Sequence, residues 1–182
     1  MKGVVFTEFL EMVEAQWGVP FLQQVIDDAD LPSRGVYAST GVYPHSEMSA
    51  LLTALSARTG ERPSSLLIAF GEHLFGRFCE AYPGFFKGRN SAFDFLASVE
   101  REIHFEVKKL YPDAELPRIE AIEHSAQRLV LRYSSIRHMG DLCEGLIRGC
   151  LRHFDEKATI TRREEGAAPA AQIDFSIERI AA

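Results

Sequence analysis

The sequence predicts an α+β fold, with an N-terminal helical lobe packed on a C-terminal lobe that carries helices and a four-stranded antiparallel sheet. Three observations predict it. Apolar residues recur at helical spacing through residue 110, broken by Gly and Pro. Past Pro112 and Pro117 the texture changes to short alternating segments that read as strands. Those segments form two hairpins separated in the chain by one amphipathic helix, a pattern that suits helices packed on an antiparallel sheet.

The elements follow in order. Val5, Phe6, Phe9, Leu10, Val13 and Trp17 share one helical face, and Gly18 and Pro20 end the pattern. A shorter helix covers about 21–29 and stops before Leu31-Pro32-Ser33-Arg34-Gly35. Residues 33–45, rich in Gly, Ser, Thr and Tyr, read as loop. A third helix runs from about Ser46 to Arg58 and ends at Gly60. Pro63 and Ser64 open a fourth, with the stripe Leu67, Phe70, Leu74 and Phe78, closed by Tyr82-Pro83-Gly84. Asn90 is a suitable N-cap for a single helix over about 91–110. At 100° per residue, Phe93, Leu96, Ala97, Ile103, Val107 and Leu110 fall on one side, with His104 inside that stripe. Residues 118–123 and 127–133 read as the first hairpin, turning near Ser125. A helix over about 139–154 buries Leu142, Leu146, Ile147 and Cys150. Residues 158–163 and 172–180 make the second hairpin, with EEGAAPAA as its turn.

The 182 residues suit one domain, taken as an N-terminal lobe over about 1–62 and a second lobe over about 63–182. With 20 basic and 26 acidic residues the net charge is -6. That balance argues against binding nucleic acid, which needs a basic face to displace counterions, and against docking on anionic membranes. No apolar run approaches the ~20 residues that span a bilayer, and the start turns acidic too early for a secretory signal. Cys79, Cys143 and Cys150 form no CxxC, so reduced core thiols in a cytoplasmic protein are the expectation.

Two features carry chemistry. His104 lies on an apolar helical stripe, where it serves either as a core histidine bonded to backbone or as a metal ligand, including the axial ligand of haem iron. Tyr133, Ser135 and Arg137 alternate along an extended segment and so project to one side. Three polar donors there suit either a solvated strand end or the grip of a carboxylate. Haem needs both features, an axial ligand for iron and donors for two propionates at the rim. His73 borders the stripe of its own helix and could approach a cavity, whereas His45, His124, His138 and His153 read as surface or element-end positions.

On these residues the chain resembles the haem nitric oxide/oxygen binding family (H-NOX), the haem domain related to that of soluble guanylate cyclase, over almost its whole length. Met1-Lys2-Gly3 with Phe6 is similar to the family's start. His104, then Lys109-Leu110-Tyr111 and Leu116-Pro117, matches its proximal histidine and following proline. Tyr133-x-Ser135-x-Arg137 matches its YxSxR signature, and Glu144-Gly145-Leu146 continues in register. The resemblance implies haem b (iron protoporphyrin IX) between the lobes, with His104 as axial ligand and Tyr133, Ser135 and Arg137 on the propionates. It implies that Pro117 presses the porphyrin out of plane. It also implies a distal pocket of Val5, Phe9, Leu74, Phe78, Leu142 and Leu146.

Oxygen-binding relatives carry a distal tyrosine nine residues after the signature tyrosine, where this chain has Leu142. Leu74, at the supporting distal position, is also apolar. The expectation is therefore a bacterial nitric oxide sensor that also takes carbon monoxide and excludes oxygen. Ligand binding would weaken or break the iron–His104 bond and signal to a separate partner, in the family commonly a histidine kinase or a cyclic-di-GMP enzyme. Residues 156–178 hold no Cys or His, so no zinc site is expected. Rival readings are an oxygen-binding sensor, with His73 or Tyr43 as donor, a haem peroxidase or nitric-oxide-consuming dioxygenase, and a haem-free carrier of an apolar carboxylate.

Overall fold

A computed structural model describes residues 1–165 and 171–180. Among them the helices are α1 (Gly3–Trp17), α2 (Val19–Ala29), α3 (His45–Thr59), α4 (Pro63–Ala81), α5 (Ala92–Ser98), α6 (Phe105–Leu110) and α7 (Gly140–His153). The strands are β1 (Arg118–His124), β2 (Arg128–Ser135), β3 (Ala158–Glu165) and β4 (Ala171–Arg179). All pairings are antiparallel, in the order β1-β2-β4-β3. The central part of the EEGAAPAA turn lies outside the described residues.

The helical half forms where the sequence places it. Gly18 takes φ 84, which a side chain resists, and this positive-φ break separates α1 from α2. Pro20 and Pro63 sit in the first turns of α2 and α4, where a missing N–H costs nothing. Phe6, Phe9, Val13, Leu51, Leu55, Phe70 and Leu74 close one core, and α4 supplies its floor. A second core gathers Phe93, Phe95, Leu129, Leu131, Tyr133, Ile147, Phe175 and Ile177 between α5, α7 and the inner face of the sheet. Leu146 packs against both cores, so α7 joins them.

The α4–α7 crossing is built on glycine. A Cβ on Gly71 would stand 2.5 Å from the Leu142 carbonyl oxygen, and one on Gly145 would stand 2.2 Å from that of Ile68. The two backbones touch directly, which fixes how these helices meet.

The segment 91–110 departs from the expected single helix. Ser91, rather than Asn90, is the N-cap, and its Oγ accepts the Asp94 N–H at 3.4 Å. After α5 the chain makes a π-helical turn over Glu100–His104, with the His104 N–H bonded to the Val99 carbonyl at 2.9 Å. Such widened turns are uncommon and collect at functional sites. The extra residue rotates everything after it. This is why Leu110, placed inward by even 100° steps, is 72% exposed.

Candidate functional site

His104 is the last residue of the π turn. Its Nδ1 lies 2.9 Å from Glu100 Oε2, and the imidazole is largely covered. The same carboxylate oxygen accepts the Ile119 backbone N–H at 3.0 Å. In a neutral imidazole, donation from Nδ1 to that carboxylate puts the lone pair on Nε2, which makes no hydrogen bond or ion pair among the described residues. This is the state in which a histidine binds metal.

Ile119 pairs with Tyr133 across β1 and β2, so the register sets the signature tyrosine beside the histidine's anchor. Tyr133 is buried, and its Oη accepts the Met139 N–H at 3.3 Å at the start of α7. Burial raises its phenol, only partly opposed by the hydrogen bond with Ser135, so it stays protonated at neutral pH. Ser135 Oγ accepts the Arg137 N–H at 3.1 Å.

The even alternation expected for the trio stops at Ser135, where β2 ends. Ile136 and Arg137 form a turn. Arg137 reaches back by that turn, rather than by extended alternation, and donates to Glu115 twice. Nη1 bonds the Glu115 carbonyl and Nη2 its Oε2, both at 2.5 Å.

A haem brings one iron and two carboxylates, and the donors present fit both demands. His104 offers a free Nε2. The Arg137 guanidinium already holds a carboxylate, that of Glu115, whose side chain is 76% exposed. The Arg137 side chain itself is only 11% exposed, so the guanidinium is held in place while the exposed Glu115 carboxylate can give way to a propionate. Tyr133 and Ser135 add hydroxyls beside it. Pro117 lies half-buried midway between Glu115 and Ile119.

Of the residues expected to form a distal pocket, Phe9 and Leu74 are fully buried, and Phe9 meets Phe70 edge to face at 5.1 Å. Val5, Phe78, Leu142 and Leu146 are half-buried and pack on the N-terminal core. None of these six side chains carries a hydrogen-bond donor. His73 points its Nε2 toward Glu8 on α1, at 3.8 Å, and makes no hydrogen bond there. The Tyr43 hydroxyl accepts the Ala38 N–H at 2.8 Å. Cys79, Cys143 and Cys150 are free thiols. Burial pushes the Cys143 thiol up to about 12 and Cys79 up to about 11.

Sequence reasoning missed Glu100 and Glu115. Glu100 had a local signal, since a carboxylate four residues before a histidine shares its helical face. Glu115 had none, because its partner lies 22 residues away across a turn.

The Haem-NO-binding family matches residues 2–162. The chain belongs to this family. Among solved structures, the unliganded Fe(II) H-NOX protein from K. algicida is 37% identical, with a TM-score of 0.92, covering 100% of this chain and 98% of that one. A single-residue variant of the same protein is 38% identical, with a TM-score of 0.92, over 100% and 97%. The H-NOX protein from S. oneidensis in its Fe(II)NO ligation state is 26% identical, with a TM-score of 0.85, over 98% and 100%. No curated protein matches the chain in sequence. The α+β architecture is thus that of H-NOX proteins, a haem-binding sensor family, and among the described residues no helix is long and apolar enough to cross a membrane.

Proposed function

We propose that this H-NOX domain is a nitric oxide sensor that binds haem b through His104 and excludes oxygen. The observation that carries the reading is the pairing of a charge-oriented His104 with a distal set, Val5, Phe9, Leu74, Phe78, Leu142 and Leu146, that lacks any donor. Bound oxygen draws negative charge and needs a hydrogen bond to be held, whereas nitric oxide and carbon monoxide bind without one.

Ferrous haem, when bound, supplies an iron with one coordination position open to a diatomic gas. The rest is the work of this chain. His104 presents its Nε2 lone pair. Arg137, Tyr133 and Ser135 hold the propionates at the rim. Phe9, Leu74 and the half-buried aliphatic residues keep water from the distal side. Pro117, on a segment held at both ends, would bear on the porphyrin. A weakened hold on His104 would free the helix that carries it, and its movement relative to an N-terminal lobe of about residues 1–62 would be the signal. A switch of this kind needs two states and a ligand that prefers one. The output passes to a separate cytoplasmic protein, a histidine kinase or a cyclic-di-GMP enzyme, without chemistry at the distal side. Acid–base groups that an enzyme would need are missing from the distal set.

The test is the visible spectrum of the anaerobically reduced protein, before and after air and then nitric oxide. A spectrum that ignores air and converts with nitric oxide is expected. A stable oxygen complex would overturn the exclusion and turn attention to His73 and Tyr43. Protein that stays colourless when supplied with haem would favour a carrier of apolar carboxylates.

A further inference from the structure

Glu100 stands between the iron ligand and the sheet. One oxygen, Oε2, meets His104 Nδ1 at 2.9 Å and the Ile119 N–H at 3.0 Å. A regular α-turn spaces residues four apart along one face. Here the π turn over Glu100–His104 lets the backbone widen while the two side chains still meet. The carboxylate is only about one-third exposed, and it carries two hydrogen bonds that converge from different elements. Ile119 is the second residue of β1 and stands opposite Tyr133, the first residue of the propionate-binding trio.

We propose that Glu100 is the positioning residue of the iron ligand, fixing His104 with its proton on Nδ1, raising the donor strength of Nε2, and tying the ligand to β1. The inference rests on His104 being the haem ligand. A full negative charge hydrogen-bonded to Nδ1–H makes the imidazole a stronger base at Nε2, so iron–histidine bond strength, and with it the ease of release, is set from residue 100. Because the same oxygen holds the Ile119 amide, release of His104 alters a bond at the start of β1. Glu100 itself does not touch the iron or the gas.

Two substitutions separate its electronic and mechanical parts. Glu100→Gln keeps an acceptor of the same shape without the charge. Glu100→Leu removes the acceptor. In the reduced, haem-loaded, unliganded protein the iron–histidine stretching band should move to lower frequency in Glu100→Gln and further in Glu100→Leu. Haem should leave Glu100→Leu about ten-fold faster or more. The Ile119 amide should exchange with solvent about ten-fold faster in Glu100→Leu, and within about three-fold of the parent rate in Glu100→Gln. In the diamagnetic carbon monoxide form of the unsubstituted protein, nitrogen NMR should find the His104 proton on Nδ1, without recourse to any variant. His104→Gly should abolish the stretching band. Survival of the band there would refute His104 as ligand. An unshifted band in both Glu100 variants, with Ile119 exchange unchanged, would refute the role of Glu100 while leaving His104 in place.

Discussion

Adding one methyl group at Gly145 tests how the α4–α7 crossing is built. Its Cβ would stand 2.2 Å from the Ile68 carbonyl oxygen, 2.8 Å from Gly71 Cα and 3.0 Å from the Ile68 carbonyl carbon. Ordinary contact begins at 3.4 Å, so α4 and α7 must separate by more than 1 Å. All three clashing atoms are backbone, which cannot rotate away as a side chain does. The parting loosens the packing of Leu74 and Phe75 against Leu142, Leu146 and Ile147. Overpacking of a core costs about 1–3 kcal/mol, and a clash against backbone belongs at the upper end, so about 3 kcal/mol is expected for Gly145→Ala. For a chain of 182 residues, 1 kcal/mol moves Tm by about 2–4 °C, so the drop should be about 6–12 °C. Gly76, on the same α4, is the control. A Cβ there meets nothing within 4 Å, so Gly76→Ala should stabilise by about 0.4–1 kcal/mol through helix propensity and a stiffer unfolded chain. Circular dichroism melts of both variants decide the matter. Equal Tm values for Gly145→Ala and the parent would show that the helices do not cross backbone to backbone.

Four further outcomes follow from the same structure. If Leu142 lines the distal pocket as proposed, Leu142→Tyr adds a phenol donor there and should give a reduced protein whose spectrum changes in air, against an unchanged spectrum expected of the parent. Arg132 bonds both oxygens of Asp174, at 2.8 and 2.7 Å, and those bonds hold its carboxyl below the ordinary range. The folded value is lowered, so the stabilisation is full above the unfolded value of about 3.9 and is lost as pH falls through the folded one. Asp174→Asn should therefore cost about 1 kcal/mol near neutrality by urea titration, and the gap to the parent should close as pH falls through the lowered folded value. Buried Glu47 accepts hydrogen bonds from Tyr37, at 2.8 Å, and Ser33, and Tyr37 is pushed up to about 12, first by burial. Tyr37→Phe should cost about 1.5–3 kcal/mol, read in the same titration, because it removes a bond to a charged group. Alkylation by a thiol reagent at about pH 8 should be slow at Cys79 and slower still at Cys143 in the folded protein, and fast at both in denaturant.

The fold was legible where local signals agreed with tertiary ones. Helix-spaced Phe and Leu residues, Gly18 with its positive φ, and prolines in first turns mark α1 to α4 within a few residues. The two hairpins were legible from alternation, though β2 runs on to Ser135 because its end pairs with the start of β4. The 91–110 segment was not legible beyond its first turns. A π turn is one backbone bond displaced by one residue, and no composition rule marks it. Every phase assignment after Val99 inherits that slip, Leu110 most plainly. The candidate site divides in the same way. His104 and the Tyr133, Ser135 and Arg137 trio stand out by residue type and spacing, while their carboxylate partners do not. Glu115 is one of 26 acidic residues until the turn after β2 swings Arg137 onto it.

Those partners give the site a property that no single residue has. Glu115, Pro117 and Ile119 lie at alternate positions of one short segment. Arg137 holds its first residue, and Glu100 holds its last. Pro117, between them, is fastened from the side of Arg137 and from the side of His104 at once. The two fastenings differ in kind. Glu100 is largely covered and carries both His104 and a backbone amide, so it yields only if His104 moves. At Glu115 the largely buried Arg137 holds the backbone carbonyl as well as the exposed carboxylate, so an arriving carboxylate can displace the side-chain bond while the backbone bond stays. A backbone group is thus held at each end of the segment, the Glu115 carbonyl by Arg137 and the Ile119 amide by Glu100. A displacement of His104 would reach Pro117 through Glu100 and Ile119, against a Glu115 end that Arg137 still holds.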